Sequence, residues 1–221
     1  MVSAIITAAG RNKRMRDDLK SRGMEIRHKL LLSFHGNPII LQTLQNTLKA
    51  DVDECIVVLG HFSDEIISVL DEFDDERVKI VVNSEIDVEL SESLLNGVKK
   101  AKDDFCLCVA ADQPAVSAET FKNIVDGVFN SQEPENTVSI LARGKSGYLN
   151  TAEGLGMPFA CRADILKKYL TGNKDNLNPL LRKMVKEGVV LYGVPPRDDI
   201  ELLNINEYDD YIDIIEKSIS D

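Results

Sequence analysis

Ala4-Ile5-Ile6-Thr7-Ala8-Ala9-Gly10, followed by a basic run that ends at Lys29-Leu30-Leu31-Leu32, decides how this chain folds and where it binds. Val2, Ala4, Ile5, Ile6 and Ala8 form a short apolar strand, and Ala8-Ala9-Gly10 strips the backbone of side chains where that strand must turn. A turn so bare lets the backbone lie against a phosphate or a flat base. From Arg11 to Lys29 the chain carries eight Lys or Arg (Arg11, Lys13, Arg14, Arg16, Lys20, Arg22, Arg27, Lys29) against three acids (Asp17, Asp18, Glu25), although the formal net charge of the protein is −11. The stretch reads as a basic loop.

A run of charge is usually a solvated face. A pocket for a small polyanion is the alternative that explains a local reversal of sign in an acidic chain. A cation about 4 Å from a phosphate oxygen gains roughly 4 kcal/mol at an effective dielectric near 20, before desolvation, so two or three of them can hold a triphosphate.

Working outward, apolar runs alternate with helical patterns. Cys55 to Leu59 is near-continuously apolar and stops at Gly60-His61; Val78 to Asn83 and Phe105 to Ala110 repeat the signal. Helices are expected after Asn37-Pro38 (Asn37 as N-cap), from Ser63 to Phe73, from about Ser91, from Ala118 to Phe129, over Asp164 to Tyr169 and Pro179 to Val185, and from Glu207 to Ile219. Strands are also expected near Val138 to Leu141, Met157 to Cys161 and Val189 to Val194, with Arg143 to Gly156 irregular. This rhythm predicts an α/β, three-layer Rossmann-like fold, with a mostly parallel mixed sheet between helix layers and ligands beyond the carboxyl ends of the strands.

With 221 residues, 43% of them hydrophobic, the whole chain is expected to form one domain. The net charge argues against nucleic acid as a partner. No leader and no membrane-spanning run is recognised, so the expected location is the cytoplasm, with no membrane partner. Cys55, Cys106, Cys108 and Cys161 lack zinc-site spacing and read as buried thiols.

Two tempting motifs fail. Gly144-Lys145-Ser146 ends like a Walker A loop, but Ser139 holds the place of its first glycine; Gly154-Leu155-Gly156 lacks the third glycine of a dinucleotide fingerprint. His28, His35 and His61 are dispersed, and no serine sits in a nucleophile elbow. What remains is a bare turn, a lysine on a basic stretch and Asp112, an acid ending a buried strand just before Gln113-Pro114. Those parts suit nucleotidyl transfer, in which the attacking phosphate is already anionic and catalysis consists of alignment, a divalent ion and cations that neutralise departing pyrophosphate. Asp112 is the candidate Mg²⁺ ligand; its other role, as an N-cap for the helix near Ser117, has the wrong offset.

Thr7 to Met15, Lys29-Leu30-Leu31-Leu32, Val57-Val58-Leu59-Gly60-His61 and Ala111-Asp112-Gln113-Pro114 together resemble the molybdenum-cofactor nucleotidyltransferases, within the nucleotide-diphospho-sugar transferase fold. The double alanine before Gly10 resembles the cytidylyltransferase branch. Asn83, Ser91 to Leu94, Gly156 to Phe159, Gly172 to Lys174 and Asn204 to Asn206 continue the likeness in order.

The resemblance implies an Mg²⁺-dependent enzyme that joins CMP from CTP (or GMP from GTP) to the terminal phosphate of molybdopterin or the molybdenum cofactor. Its partners would be that phosphorylated pterin and a molybdenum hydroxylase as acceptor protein. Arg14, Lys29 and Asp112 would be catalytic; Ala8, Ala9, Gly10, Arg11, Gly60, Asn83, Ser93 and Gln113 would bind nucleotide. Asp112 and Asn206 would hold the metal, with Asn204 as the competing register. Asp17 to His28 lengthens the family's spacing before the lysine, which implies a mobile loop; Glu89, Met157 and Asn206 stand where the family tends to carry glycine, histidine and aspartate. Two rivals stay open: transfer to a sugar or alcohol phosphate on the same fold, and a pterin-binding chaperone without catalysis.

Overall fold

A computed structural model describes residues 1–174 and 176–219. Its elements are β1 (Val2–Ala8), α1 (Lys13–Ser21), β2 (Ser33–Phe34), β3 (Asn37–Pro38), α2 (Ile39–Leu48), β4 (Glu54–Leu59), α3 (Ser63–Leu70), β5 (Val78–Val82) and α4 (Leu90–Lys100). They continue as β6 (Phe105–Ala110), α5 (Ala118–Phe129), β7 (Thr137–Leu141), β8 (Gly147–Leu149), β9 (Phe159–Arg162), α6 (Ala163–Leu170), α7 (Leu177–Lys186), β10 (Val190–Val194) and α8 (Tyr208–Ile219). Eight strands form one sheet in the order β5-β4-β1-β6-β9-β7-β10-β8. The pairs β4–β5, β1–β4, β1–β6 and β7–β10 are parallel, whereas β9 runs antiparallel to both its neighbours and β8 antiparallel to β10. The expected α/β architecture is present.

All seven residues of β1 are buried, because both its faces are covered. Strand periodicity divides them: Ala4, Ile6 and Ala8 face a core shared with Val57, Leu59, Leu107 and Val109, whereas Ile5 faces the other core with Ile56, Val58, Cys106 and Cys108. Helices α1, α2, α3, α5 and α8 supply buried residues to the first layer, and α4, α6 and α7 to the second. The four cysteines are free and buried, and burial pushes the Cys106 thiol up to about 12. From β1 the chain proceeds outward to β4 and β5, then crosses back to β6 on the far side of β1. That reversal leaves a crevice beyond the carboxyl end of β1.

The basic stretch departs from expectation. Lys13–Ser21 is helical because Met15 and Leu19, four residues apart, both enter the core and leave the Lys and Arg residues on the outer face. Asn12 precedes this helix with φ 54, donates through Nδ2 to the Arg27 carbonyl and accepts the Lys29 amide at Oδ1, closing the excursion at its base. The stretch is thus a helix and a pinned return, not one long loop. Asn37 and Pro38 also differ: they pair with Ser33–Phe34 across a two-residue turn whose residues, His35 and Gly36, both have positive φ, and α2 starts at Ile39. Within the irregular segment, Gly147–Leu149 forms the edge strand β8. No described helix is long and apolar enough to cross a membrane.

Candidate active site

The carboxyl ends of β1 and β6 open into a cavity of about 420 Å³. Its floor is Thr7, Ala8, Ala9, Gly10 and Arg11 after β1, with Ala110, Ala111 and Asp112 after β6. One end holds His28, Lys29, Leu30 and Asn204; the other holds Val88, Glu89, Leu90, Ser93 and Met157. Leu30 belongs to one core layer, while Leu90 and Met157 pack against the other, so the cavity straddles the end of β1 from face to face.

Lys29 and Asp112, 83 positions apart in sequence, meet here. Lys29 Nζ donates to Asp112 Oδ2 at 2.5 Å and to the Ile205 carbonyl at 2.7 Å, with the two side chains 15% and 19% exposed. At this exposure water screens the attraction less than it does between charges on the open surface. Asp112 is tied down further, since its own carbonyl accepts the Ile205 amide at 3.0 Å. Arg11 reaches across the mouth to Asp87 at 3.1 Å, and His61 Nε2 lies 2.8 Å from the same carboxylate oxygen. His61 and Arg11 together hold the Asp87 carboxyl below the usual range.

Of the residues expected at the site, Ala8, Ala9, Gly10, Arg11, Lys29, Ser93 and Asp112 line the cavity. Gly60 lies just beneath it: a Cβ there would come within 3.0 Å of the Ala9 Cβ, so the glycine lets two strand ends pack side by side. Asn83 is buried and donates through Nδ2 to Ser93 Oγ at 2.9 Å, which orients that hydroxyl without touching the cavity itself. Gln113 is likewise buried and reaches the site through Asn204, donating to its Oδ1 at 2.9 Å. Arg14 is exposed on α1 and is not among the lining residues. Between the two asparagine registers, Asn204 is on the cavity wall; Asn206 lies at the approach to α8, where its amide donates to Asp210.

Two residues emerge only from the folded structure. His28 is 5% exposed; its Nδ1 accepts the Leu30 amide, and its ring packs 4.8 Å from that of Phe62. Burial, helped by the neighbouring Lys29 charge, pushes its pKa down to about 4, so the ring is neutral near pH 7. Its place beside Lys29 was the one available signal. Glu201 is 2% exposed and accepts from the amides of Ser117 and Arg197 and from the Thr120 hydroxyl. It thereby fixes the turn that leads to Asn204 and Ile205. An acid in the run Asp198-Asp199-Ile200-Glu201 gives no hint of such burial in sequence.

Among the described residues no group of three or more His, Cys, Asp or Glu could cage a metal ion. A single carboxylate on a crevice wall instead suits a hard divalent cation that keeps most of its own waters.

Residues 4–187 match the family profile described as MobA-like NTP transferase domain. A solved nucleotidyl transferase from Methanothermobacter thermautotroptrophicus is similar at 46% identity and TM-score 0.92, covering 100% of this chain and 98% of its own. The 4-diphosphocytidyl-2C-methyl-D-erythritol synthase of Anaerococcus prevotii shares the fold at TM-score 0.70 and 17% identity, covering 98% of this chain and 95% of that one. Bifunctional protein GlmU of Syntrophomonas wolfei is 26% identical over 148 residues, 66% of this chain. The chain spans only 30% to 39% of the length of the curated relatives it matches.

Proposed function

This chain belongs to the MobA-like NTP transferase domain family; on that footing we propose that it is a nucleotidyltransferase that joins CMP from CTP to the terminal phosphate of a phosphorylated pterin, molybdopterin or the molybdenum cofactor, releasing pyrophosphate. The observation that carries the reading is the Lys29–Asp112 pair inside a cavity floored by the bare Ala8-Ala9-Gly10 turn. A cation, a carboxylate and an unobstructed backbone are what alignment and charge neutralisation of a triphosphate require.

In this mechanism the amides of the turn lie against the phosphates, and Lys29 and Arg11 turn from their carboxylate partners to phosphate oxygens. Lys29 then stabilises the negative charge that grows on the departing pyrophosphate. Arg14, on the outer face of α1, meets the phosphates only if that helix swings inward over the cavity. Asn83 holds Ser93, and Gln113 holds Asn204, so that both present a fixed polar atom to the nucleotide. Asp112 would hold Mg²⁺, with Asn204 on the cavity wall as its partner in place of Asn206; the ion would supply further charge neutralisation at the phosphates. The acceptor phosphate is already an anion, so no side chain needs to remove a proton.

Likeness to a synthase of a diphosphocytidyl product supports a second reading, transfer of CMP to a sugar or alcohol phosphate. Pyrophosphate release decides between the two. With Mg²⁺, CTP and a panel of acceptors, pyrophosphate forms with the pterin phosphate and not with sugar or alcohol phosphates if the first reading holds; the reverse pattern selects the second. Tight pterin binding with no pyrophosphate from any nucleotide would refute both and leave a carrier.

A further inference from the structure

The cavity's two ends differ in charge and surface. The Lys29 end carries the cation beside His28, Leu30 and Asn204; at the opposite end Val88, Leu90 and Met157 give apolar walls, and Glu89 stands among them with Ser93. Glu89 directly precedes α4 in an extended conformation, with its backbone carbonyl accepting the amides of Glu92 and Ser93. Its side chain does not cap the helix, and among the described residues its carboxylate has no hydrogen bond or ion pair. The other acids at this cavity are engaged: Asp112 by Lys29, Asp87 by Arg11 and His61. Glu89 is therefore the lining acid left without a partner among the described residues, across the cavity from Lys29.

We propose that Glu89 selects the base, accepting a hydrogen bond from the exocyclic amino group of the nucleoside triphosphate. The inference rests on the nucleotidyl-transfer reading for the nature of the ligand and deepens it. An anion at this end repels the triphosphate towards Lys29 and so sets the nucleotide's direction in the cavity. The same anion meets an amino group with attraction and a carbonyl oxygen with repulsion. Cytosine differs from uracil at one such position, and guanine from hypoxanthine by one amino group. A charged hydrogen bond of this kind corresponds to about tenfold or more in affinity.

The test measures dissociation constants by calorimetry for CTP against UTP and for GTP against ITP, using wild type, Glu89→Gln and Glu89→Ala. The amino-bearing member of the pair the site accepts should bind the wild type at least about tenfold tighter. Glu89→Ala should bring the ratio within about twofold, and Glu89→Gln, whose amide can donate to a carbonyl, should equalise or invert it. Glu89 is exposed, and unchanged thermal midpoints would establish that the variants fold. A wild type indifferent to the amino group, or a preference that survives in Glu89→Ala, overturns the assignment. Binding preference lost in the variant, with no pyrophosphate formed by any of the three proteins, would refute nucleotidyl transfer and leave the Glu89 assignment standing. Pyrophosphate release together with equal binding within both pairs, CTP with UTP and GTP with ITP, would do the opposite.

Discussion

Replacing Lys29 with alanine tests the centre of the site most directly, because the ammonium has two partners, Asp112 Oδ2 at 2.5 Å and the Ile205 carbonyl at 2.7 Å, in a setting only 15% to 19% exposed. A hydrogen bond to a charged group contributes about 1.5–3 kcal/mol when well shielded, and residual solvent contact reduces that, so the two together should cost about 2–3 kcal/mol of stability. For a chain of this length each kcal/mol moves the thermal midpoint by about 2–4 °C, which predicts a drop of about 5–10 °C. Adding Asp112→Asn should recover part of that loss, since the carboxylate stranded by the first change is gone; a double-mutant cycle should return a coupling of about 1–2 kcal/mol. Turnover should fall about a hundredfold, about 2.7 kcal/mol of lost transition-state stabilisation. Steady-state pyrophosphate release reads the kinetics, and urea unfolding reads the cycle. Turnover within about twofold of wild type would take Lys29 off the phosphates; additivity within about 0.5 kcal/mol would show the pair to be energetically idle.

Two further outcomes follow from the packing. His28 titrates near 4 in the folded protein against about 6.5 unfolded, so the unfolded chain binds more protons between those values; stability should be full above pH 6.5 and decline by about 3 kcal/mol as pH falls to 4. Urea midpoints of wild type and His28→Asn across that window isolate the contribution, and curves that stay parallel would refute it. At Gly97 an added Cβ would come within 2.4 Å of Ile5 Cγ2 and 2.9 Å of Val58 Cγ2, both on fully buried side chains. Gly97→Ala should therefore lose about 1–2 kcal/mol, overpacking outweighing the gain of about 1 kcal/mol in helix propensity. A stabilised variant would mean that α4 does not press on β1 and β4 this closely.

The strands at the heart of the sheet were legible because they are buried on both faces: Ile5-Ile6, Cys55 to Leu59 and Phe105 to Ala110 leave no other reading for runs so apolar and so short. Helix boundaries were within a few residues where an apolar stripe repeats. Charge density alone points to a loop between Arg11 and Lys29, because it takes no account of two apolar residues spaced four apart. Burial of Met15 and Leu19 set the conformation, and only Arg11 and Lys29 of its eight cations line the cavity.

By itself the sequence determined the alternation of strand and helix, the bare turn after the first strand and the chemical identity of the lysine and the aspartate, because hydrophobic period and side-chain chemistry are local properties. Only the tertiary structure decided that Lys29 touches Asp112, that Asn204 stands on the cavity wall, that Gln113 and Asn83 act through neighbours, and that Glu201 is buried beneath. Those relations depend on which strand ends lie side by side, and strand order is settled by crossovers and burial across the whole chain.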